Sequence, residues 1–284
     1  MSYNKSPIIV SGMHRSGTSL LTRILIDMNV FMGCYHDDNS ESIFFQRLNR
    51  WIMSCNSSSW DDPKSFRSVQ KKDLKIIENK ITKSLNSRST NFIYFGMKRS
   101  LINHTFKNIN YNWGWKDPSN TFTLPLWMNI FNNSKIIYML RHPIDVSNSL
   151  LYRNEILKKE DSLNINKNVF SKYLSLLTIN RGGISSSFDI NNLDDCLNLY
   201  NKYYNEIMKI NDSQNKVLFI KYEDLLLNTK VVLNDICKYL NISNELNYSE
   251  IISKIDKNKA YSYRAGQTDF NFSEDLINID IYNE

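Results

Sequence analysis

The residues best equipped for chemistry lie in the run Ser11-Gly12-Met13-His14-Arg15-Ser16-Gly17-Thr18-Ser19, between a strand-like apolar stretch and a helix-like one. A loop in that position offers free backbone N–H groups and the positive end of a helix dipole to an oxyanion. Gly12 and Gly17 have the spacing of the nucleoside-triphosphatase loop G-x-x-x-x-G-K-[ST], but Thr18 stands where that loop needs its lysine. Cradling a β/γ-phosphate pair is poorly supported without it. The cation here is Arg15, whose planar fork pairs with two anionic oxygens. A glycine-rich turn with no ligand is the plain alternative, and it must account for strand, glycines, cation, hydroxyls and helix arriving together.

A second anion site is offered by Arg141-His142-Pro143-Ile144-Asp145-Val146-Ser147-Asn148-Ser149-Leu150. Pro143 suits the first turn of a helix. Arg141 at a strand end and Ser149 two turns along that helix can converge on one anion. Taken singly, an arginine capping a turn and a serine on a solvated face explain them equally well. His14, His36, His104 and His142 share no metal-ligand spacing, so no metal is expected.

The elements needed to hold these residues are legible as short apolar runs alternating with helical patterns, the mark of a parallel α/β sheet. Strands are predicted at 7–11, 135–140 and 217–220. Helices are predicted at 19–28, 42–53, 69–84, 144–153, 193–210 and 229–240. No repeat or Pro/Gly/Ser linker divides the chain, so one domain is expected over 1–284, with a core at about 7–240 and a C-terminal segment at 241–284. The polar stretch 155–190 reads as a variable insertion or loop.

Composition narrows the function. The chain of 284 residues is 42% hydrophobic and 23% charged, ordinary for a globular protein with a sizeable core. A net charge of +6 suits an anionic ligand, but no basic block supports nucleic-acid binding. The four cysteines form no CxxC pair and read as reduced, mostly buried thiols. No signal peptide and no membrane-length apolar run is visible, which gives a cytoplasmic protein by default. Aromatic side chains could line a cleft or fill the core.

The motifs resemble those of the sulfotransferase family that uses 3′-phosphoadenosine 5′-phosphosulfate (PAPS), in its Golgi-like and bacterial branch. His14-Arg15-Ser16-Gly17-Thr18-Ser19 is similar to that family's 5′-phosphosulfate loop. The resemblance implies that Arg15 neutralises the phosphosulfate and that Ser16, Gly17, Thr18 and Ser19 hold the 5′-phosphate. It makes Arg141 and Ser149 ligands of the 3′-phosphate. Trp113-Gly114-Trp115-Lys116-Asp117-Pro118 resembles a further element of that branch and offers Lys116 as a second cation at the donor–acceptor junction; a surface lysine between packing tryptophans is the rival. Phe219-Ile220-Lys221-Tyr222-Glu223-Asp224-Leu225 resembles a structural strand-to-helix element. Arg264-Ala265-Gly266 matches the family's C-terminal phosphate loop only in part, so Arg264 is a weaker 3′-phosphate ligand.

The Golgi-like members place a glutamate base 20–30 residues after the loop, and Glu41 has that position, with Asp37, Asp38 and His36 in reserve. Glu41 could equally face the dipole of the helix that follows it. The resemblance implies a single α/β domain with a central parallel sheet flanked by helices, a P-loop-like nucleotide-binding fold. It also implies sulfuryl transfer without a metal, a carbohydrate or small-molecule acceptor, and an acceptor-facing role for 155–190. Oligomeric state leaves no signature. The rival readings are a small-molecule kinase with a variant loop, which requires ATP and Mg²⁺, and a non-catalytic nucleotide-binding protein in which Glu41 serves no catalytic purpose.

Overall fold

The structure is a computed structural model, and it describes residues 3–102, 105–164, 185–214, 217–242, 248–265 and 282. Four strands, β1 (Ile8–Gly12), β2 (Gly114–Lys116), β3 (Lys135–Leu140) and β4 (Val217–Lys221), form one parallel sheet in the order β2-β1-β3-β4. All five residues of β1 are buried, as a strand covered on both faces requires. The two-residue alternation of side chains divides the core. Ile8, Val10, Ile137 and Met139 face one apolar cluster, while Ile9, Ile136, Tyr138 and Leu140 face the other.

The first face is covered by α1 (Thr18–Asp27), α8 (Tyr222–Leu227) and α9 (Thr229–Leu240), whose Leu21, Leu25, Leu225 and Leu233 are fully buried. The opposite face carries α2 (Ile43–Cys55), α3 (Lys71–Asn86), α4 (Arg88–Ser100), α5 (Asn120–Ile130) and α7 (Leu193–Gln214). Aromatics dominate there: Phe45 stacks on Trp115 at 3.8 Å between ring centroids, and Trp113, Trp115 and Trp127 are fully buried. These rings therefore belong to the core. A long helix, α6 (Pro143–Asn164), packs against α7, and a short one, α10 (Tyr248–Ser253), precedes two 3₁₀ turns at Lys257–Lys259 and Ser262–Ala265.

Three readings change. The stretch 155–190 does not open as a loop: α6 continues to Asn164, because no glycine or proline interrupts it after Pro143; residues 165–184 lie outside the described residues. β2, α4 and α10 are additional elements. Finally, only Cys196 and Cys237 are buried, while Cys34 and Cys55 are exposed thiols.

From β1 the chain passes to β2 on one side, then crosses to β3 and β4 on the other. The crevice at the C-terminal ends of β1 and β3 is thus the topological switch point, where open parallel sheets bind ligands.

Candidate active site

The loop of residues 12–17 sits at this crevice. Gly12 is indispensable, since a Cβ there would lie 2.7 Å from the Met139 carbonyl oxygen. Gly17 takes a left-handed φ of 93°, and a Cβ would run into the Tyr222 ring. Arg15 also has positive φ, 70°, an unfavourable state for a residue that carries a Cβ and one that clusters at functional sites. Ser16 closes the turn, donating both its N–H (3.2 Å) and its hydroxyl (2.7 Å) to the Met13 carbonyl. α1 then starts with no side-chain cap, and among the described residues the N–H groups of Gly17, Thr18 and Ser19 meet no protein acceptor. Orphan donors at a helix start are an anion seat.

Arg15 also joins the loop to α6. Its Nε donates to Ser149 Oγ at 2.8 Å, while Arg141 Nη1 donates to the Arg15 carbonyl at 3.1 Å. Arg141 lies over the Tyr222 ring at 4.8 Å, faces Asp145 at 3.6 Å and donates to Ser262 Oγ at 3.2 Å. Ser262 in turn donates to Asp145 Oδ1 at 2.6 Å, so the C-terminal segment is tied to the start of α6. Arg264 is exposed nearby, stacked on Tyr261 at 4.3 Å, and lines with Lys257 and Tyr261 a depression of about 500 Å³. Glu223 is fully buried and accepts the His142 N–H at 3.0 Å, which gives the Tyr222-Glu223-Asp224-Leu225 segment a structural task. Burial, more than the opposing pull of Asp145, lowers the His142 pKa to about 4.

Glu41 and Lys116 meet on the other side of β1. Lys116 ends β2 beside Val10 and is 2% exposed, which removes the surface-lysine reading. Its ammonium lies 3.2 Å from Glu41 Oε1, and Gln46 Nε2 donates to Glu41 Oε2 at 2.8 Å. The Glu41 turn is shaped by Asp37, whose carboxylate accepts from the N–H groups of Asn39 and Glu41 and from Gln46. Ser19 anchors this turn to α1 by donating to the Asn39 carbonyl at 2.7 Å.

Beside the ion pair lies a buried polar network. Asn49 donates to Asp117 Oδ2 (2.9 Å) and Asn120 Oδ1 (2.8 Å), and accepts from Thr123 (2.9 Å) and the Trp127 indole (2.8 Å). Burial and then the Glu41 charge push the Asp117 pKa up to about 7.

Two further residues were missed. His14 packs its ring 4.9 Å from Trp60, and its Nε2 is buried with no acceptor. Desolvation, with Arg153 and Lys116, lowers its pKa to about 3, so the imidazole is neutral. Arg153 stands four residues beyond Ser149 on α6, and its charge also bears on Arg15. Burial, Arg153 and Arg141 together hold the Arg15 pKa below the usual arginine value.

A parallel α/β sheet with a lysine-free phosphate-type loop and two guanidinium groups at its switch point defines the P-loop-like class of folds. Within that class, the family model described as "Sulfotransferase family" matches residues 7–158, more than half of the chain, and the protein belongs to that family. It is a sulfotransferase. Two solved structures are similar in fold. The sulfotransferase domain of the olefin synthase of Synechococcus PCC 7002 has a TM-score of 0.51 and 15% identity, covering 98% of this chain and 94% of that one. The sulfotransferase domain of the curacin biosynthetic pathway has the same score and identity, covering 96% and 95%. No curated protein sequence matches significantly.

Proposed function

We propose that the protein transfers the sulfuryl group of PAPS to an acceptor hydroxyl by in-line displacement without a metal. The supporting observation is the double attachment of Arg15: its carbonyl to Arg141 and its side chain to Ser149, beside an uncapped helix start. Three anion-binding features thereby serve one ligand with a phosphosulfate at one end and a 3′-phosphate near the other.

In this reading the N–H groups of Gly17, Thr18 and Ser19 and the Arg15 guanidinium hold the 5′-phosphosulfate. The Ser16 and Ser19 hydroxyls keep the loop and the Glu41 turn in shape. Arg141, Ser149 and Arg264 hold the 3′-phosphate, with Ser149 leaving Arg15 for it. Glu41 accepts the proton of the attacking hydroxyl as the new O–S bond forms and the bond from sulfur to the bridging phosphate oxygen breaks. Arg15 and Lys116 meet the charge that develops, and 3′-phosphoadenosine 5′-phosphate departs. Carbohydrate or other small hydroxyl compounds are the acceptor class. The four free cysteines, two of them exposed, support a reducing, cytoplasmic setting.

The test is transfer from sulfur-labelled PAPS to a panel of sugar and simple alcohol acceptors in EDTA. With an acceptor that turns over, Glu41→Gln is expected to lower the rate by about 10²–10⁴-fold while the bisphosphate product still binds. Undiminished transfer by Glu41→Gln moves the base elsewhere. Transfer that requires Mg²⁺ contradicts the reading.

A further inference from the structure

The end of α4 breaks the pattern that the rest of the core obeys. Up to Gly96 the helix is anchored inwards, with Tyr94 and Phe95 buried. Gly96 then takes a φ of 69° and a ψ of 171°, which ends the helical path, and a Cβ there would lie 2.5 Å from Cys34 Sγ. Beyond this kink the apolar side chains face outwards: Met97 is 79% exposed, and Leu101 and Ile102 are each 78% exposed. Single exposed apolar residues are ordinary on a protein surface, but three on one projecting turn form a patch.

Cations interleave with this patch and no carboxylate does. Residues 79–116 hold seven lysines and arginines and no aspartate or glutamate. Lys83, Arg88 and Lys98 are exposed and, among the described residues, have no carboxylate within salt-bridge distance. Arg99 lies over the rings of Phe31 and Tyr111, at 4.3 and 5.1 Å, which fixes the root of the turn. The stretches that carry those rings, 29–36 and 105–113, also lack acidic residues.

The centre of a protein interface is depleted of charge, whereas here Lys98 sits inside the apolar patch. A bilayer with anionic headgroups accepts both components. Apolar side chains enter the boundary between headgroups and acyl chains, while adjacent cations meet the lipid phosphates. It also imposes no matching shape, which suits a projecting turn. No helix among the described residues is long and apolar enough to cross a membrane, so the contact is one of surface docking.

We propose that the turn of residues 97–102 docks the protein on an anionic lipid surface. Met97, Leu101 and Ile102 enter the headgroup layer, and Lys98 with the surrounding cations holds the lipid phosphates. Docking of this kind is independent of the donor and adds a place of work to the proposed reaction.

Co-sedimentation of the full chain with vesicles is the test. Vesicles of phosphatidylcholine with about 30% phosphatidylserine are compared with phosphatidylcholine alone, for wild type, the double variant Leu101→Gln/Ile102→Gln, and Lys98→Glu. The substituted side chains are exposed, so both variants are expected to melt with wild type by circular dichroism. Wild type is expected to bind the anionic vesicles about tenfold or more tightly than the neutral ones, and added salt to weaken that binding. The double variant and Lys98→Glu are each expected to lose about tenfold. No binding to anionic vesicles, or equal binding by wild type and the double variant, overturns the proposal. Self-association of wild type that the double variant abolishes, without vesicle binding, assigns the patch to a second copy of the chain and also overturns it. None of these outcomes bears on donor binding, so the PAPS reading stands or falls separately.

Discussion

The two sides of β1 are built on opposite principles. On the β3 side, Arg15, Arg141, Ser149 and the start of α1 carry donors in excess: guanidiniums close to one another and N–H groups that meet no acceptor among the described residues. On the β2 side, Glu41, Lys116, Asn49 and Asp117 are each 6% exposed or less; hydrogen bonds join Glu41 to Lys116 and Gln46, and Asn49 to Asp117 in a second set beside it. In the proposed function an anion completes the first region. The second is complete before any substrate arrives. A site that binds a polyanion and then moves one proton needs both, since the ligand supplies the missing charge on one side and finds the base already oriented on the other.

The comparison can be broken most forcefully on the β2 side. Asn49→Ala strips partners from Asp117, Asn120, Thr123 and Trp127 at once, and each buried group left unpaired costs about 1–3 kcal/mol. An unfolding free energy lowered by about 3 kcal/mol or more is expected from urea denaturation. A change below about 1 kcal/mol would show that the network is not a rigid unit. Gly17→Ala tests the β3 side with a smaller effect. The new Cβ meets the Tyr222 ring and is held at a φ of 93°, so about 1–3 kcal/mol of stability is expected to go, together with most of the affinity for the bisphosphate. Unchanged stability would mean that Tyr222 gives way freely.

The smallest effect concerns pH. Asp117 has a native pKa of about 7 against an ordinary 3.8, so between these values the native state holds a proton that the unfolded chain has released. Its contribution is present at low pH and is lost as pH rises through about 7. His14 and His142 act oppositely: their native pKa values, about 3 and about 4, lie below the ordinary 6.5, so stability falls as acid protonates the unfolded chain. Denaturation midpoints of wild type and Asp117→Asn, measured across pH 5 to 8, cancel the histidines. Wild type is expected to lose stability relative to the variant as pH rises; a constant difference would contradict the raised pKa.

The same division governed what could be read from sequence. The β3 side is contiguous in sequence: the loop of residues 11–19 and the run from Arg141 to Ser149 each carry their own strand, turn and helix, and β3 falls on the predicted residues. The β2 side is assembled from distant pieces. Lys116 could be read as a surface residue because three residues of strand leave no periodic pattern. Asn120 was invisible, since a buried amide looks like any other asparagine in a chain rich in them. α4 escaped because Gly96 breaks its helical geometry and Phe92 and Met97 are exposed, spoiling the apolar stripe. Ser16 in the loop and Ser19 in α1 also have tasks no motif shows: their hydroxyls donate to the Met13 and Asn39 carbonyls. Arg153 was hidden among the charges of a solvated-looking helix, and only its four-residue offset from Ser149 distinguishes it.

The central claim, that the excess donors of the β3 side await a phosphoadenosine nucleotide, is tested most directly by calorimetric titration of 3′-phosphoadenosine 5′-phosphate in EDTA, against ATP with Mg²⁺, for wild type, Arg15→Ala and Arg141→Ala. Metal-independent binding that each substitution weakens by about tenfold or more is the expected result. Binding of ATP with Mg²⁺ and none of the bisphosphate would contradict the account.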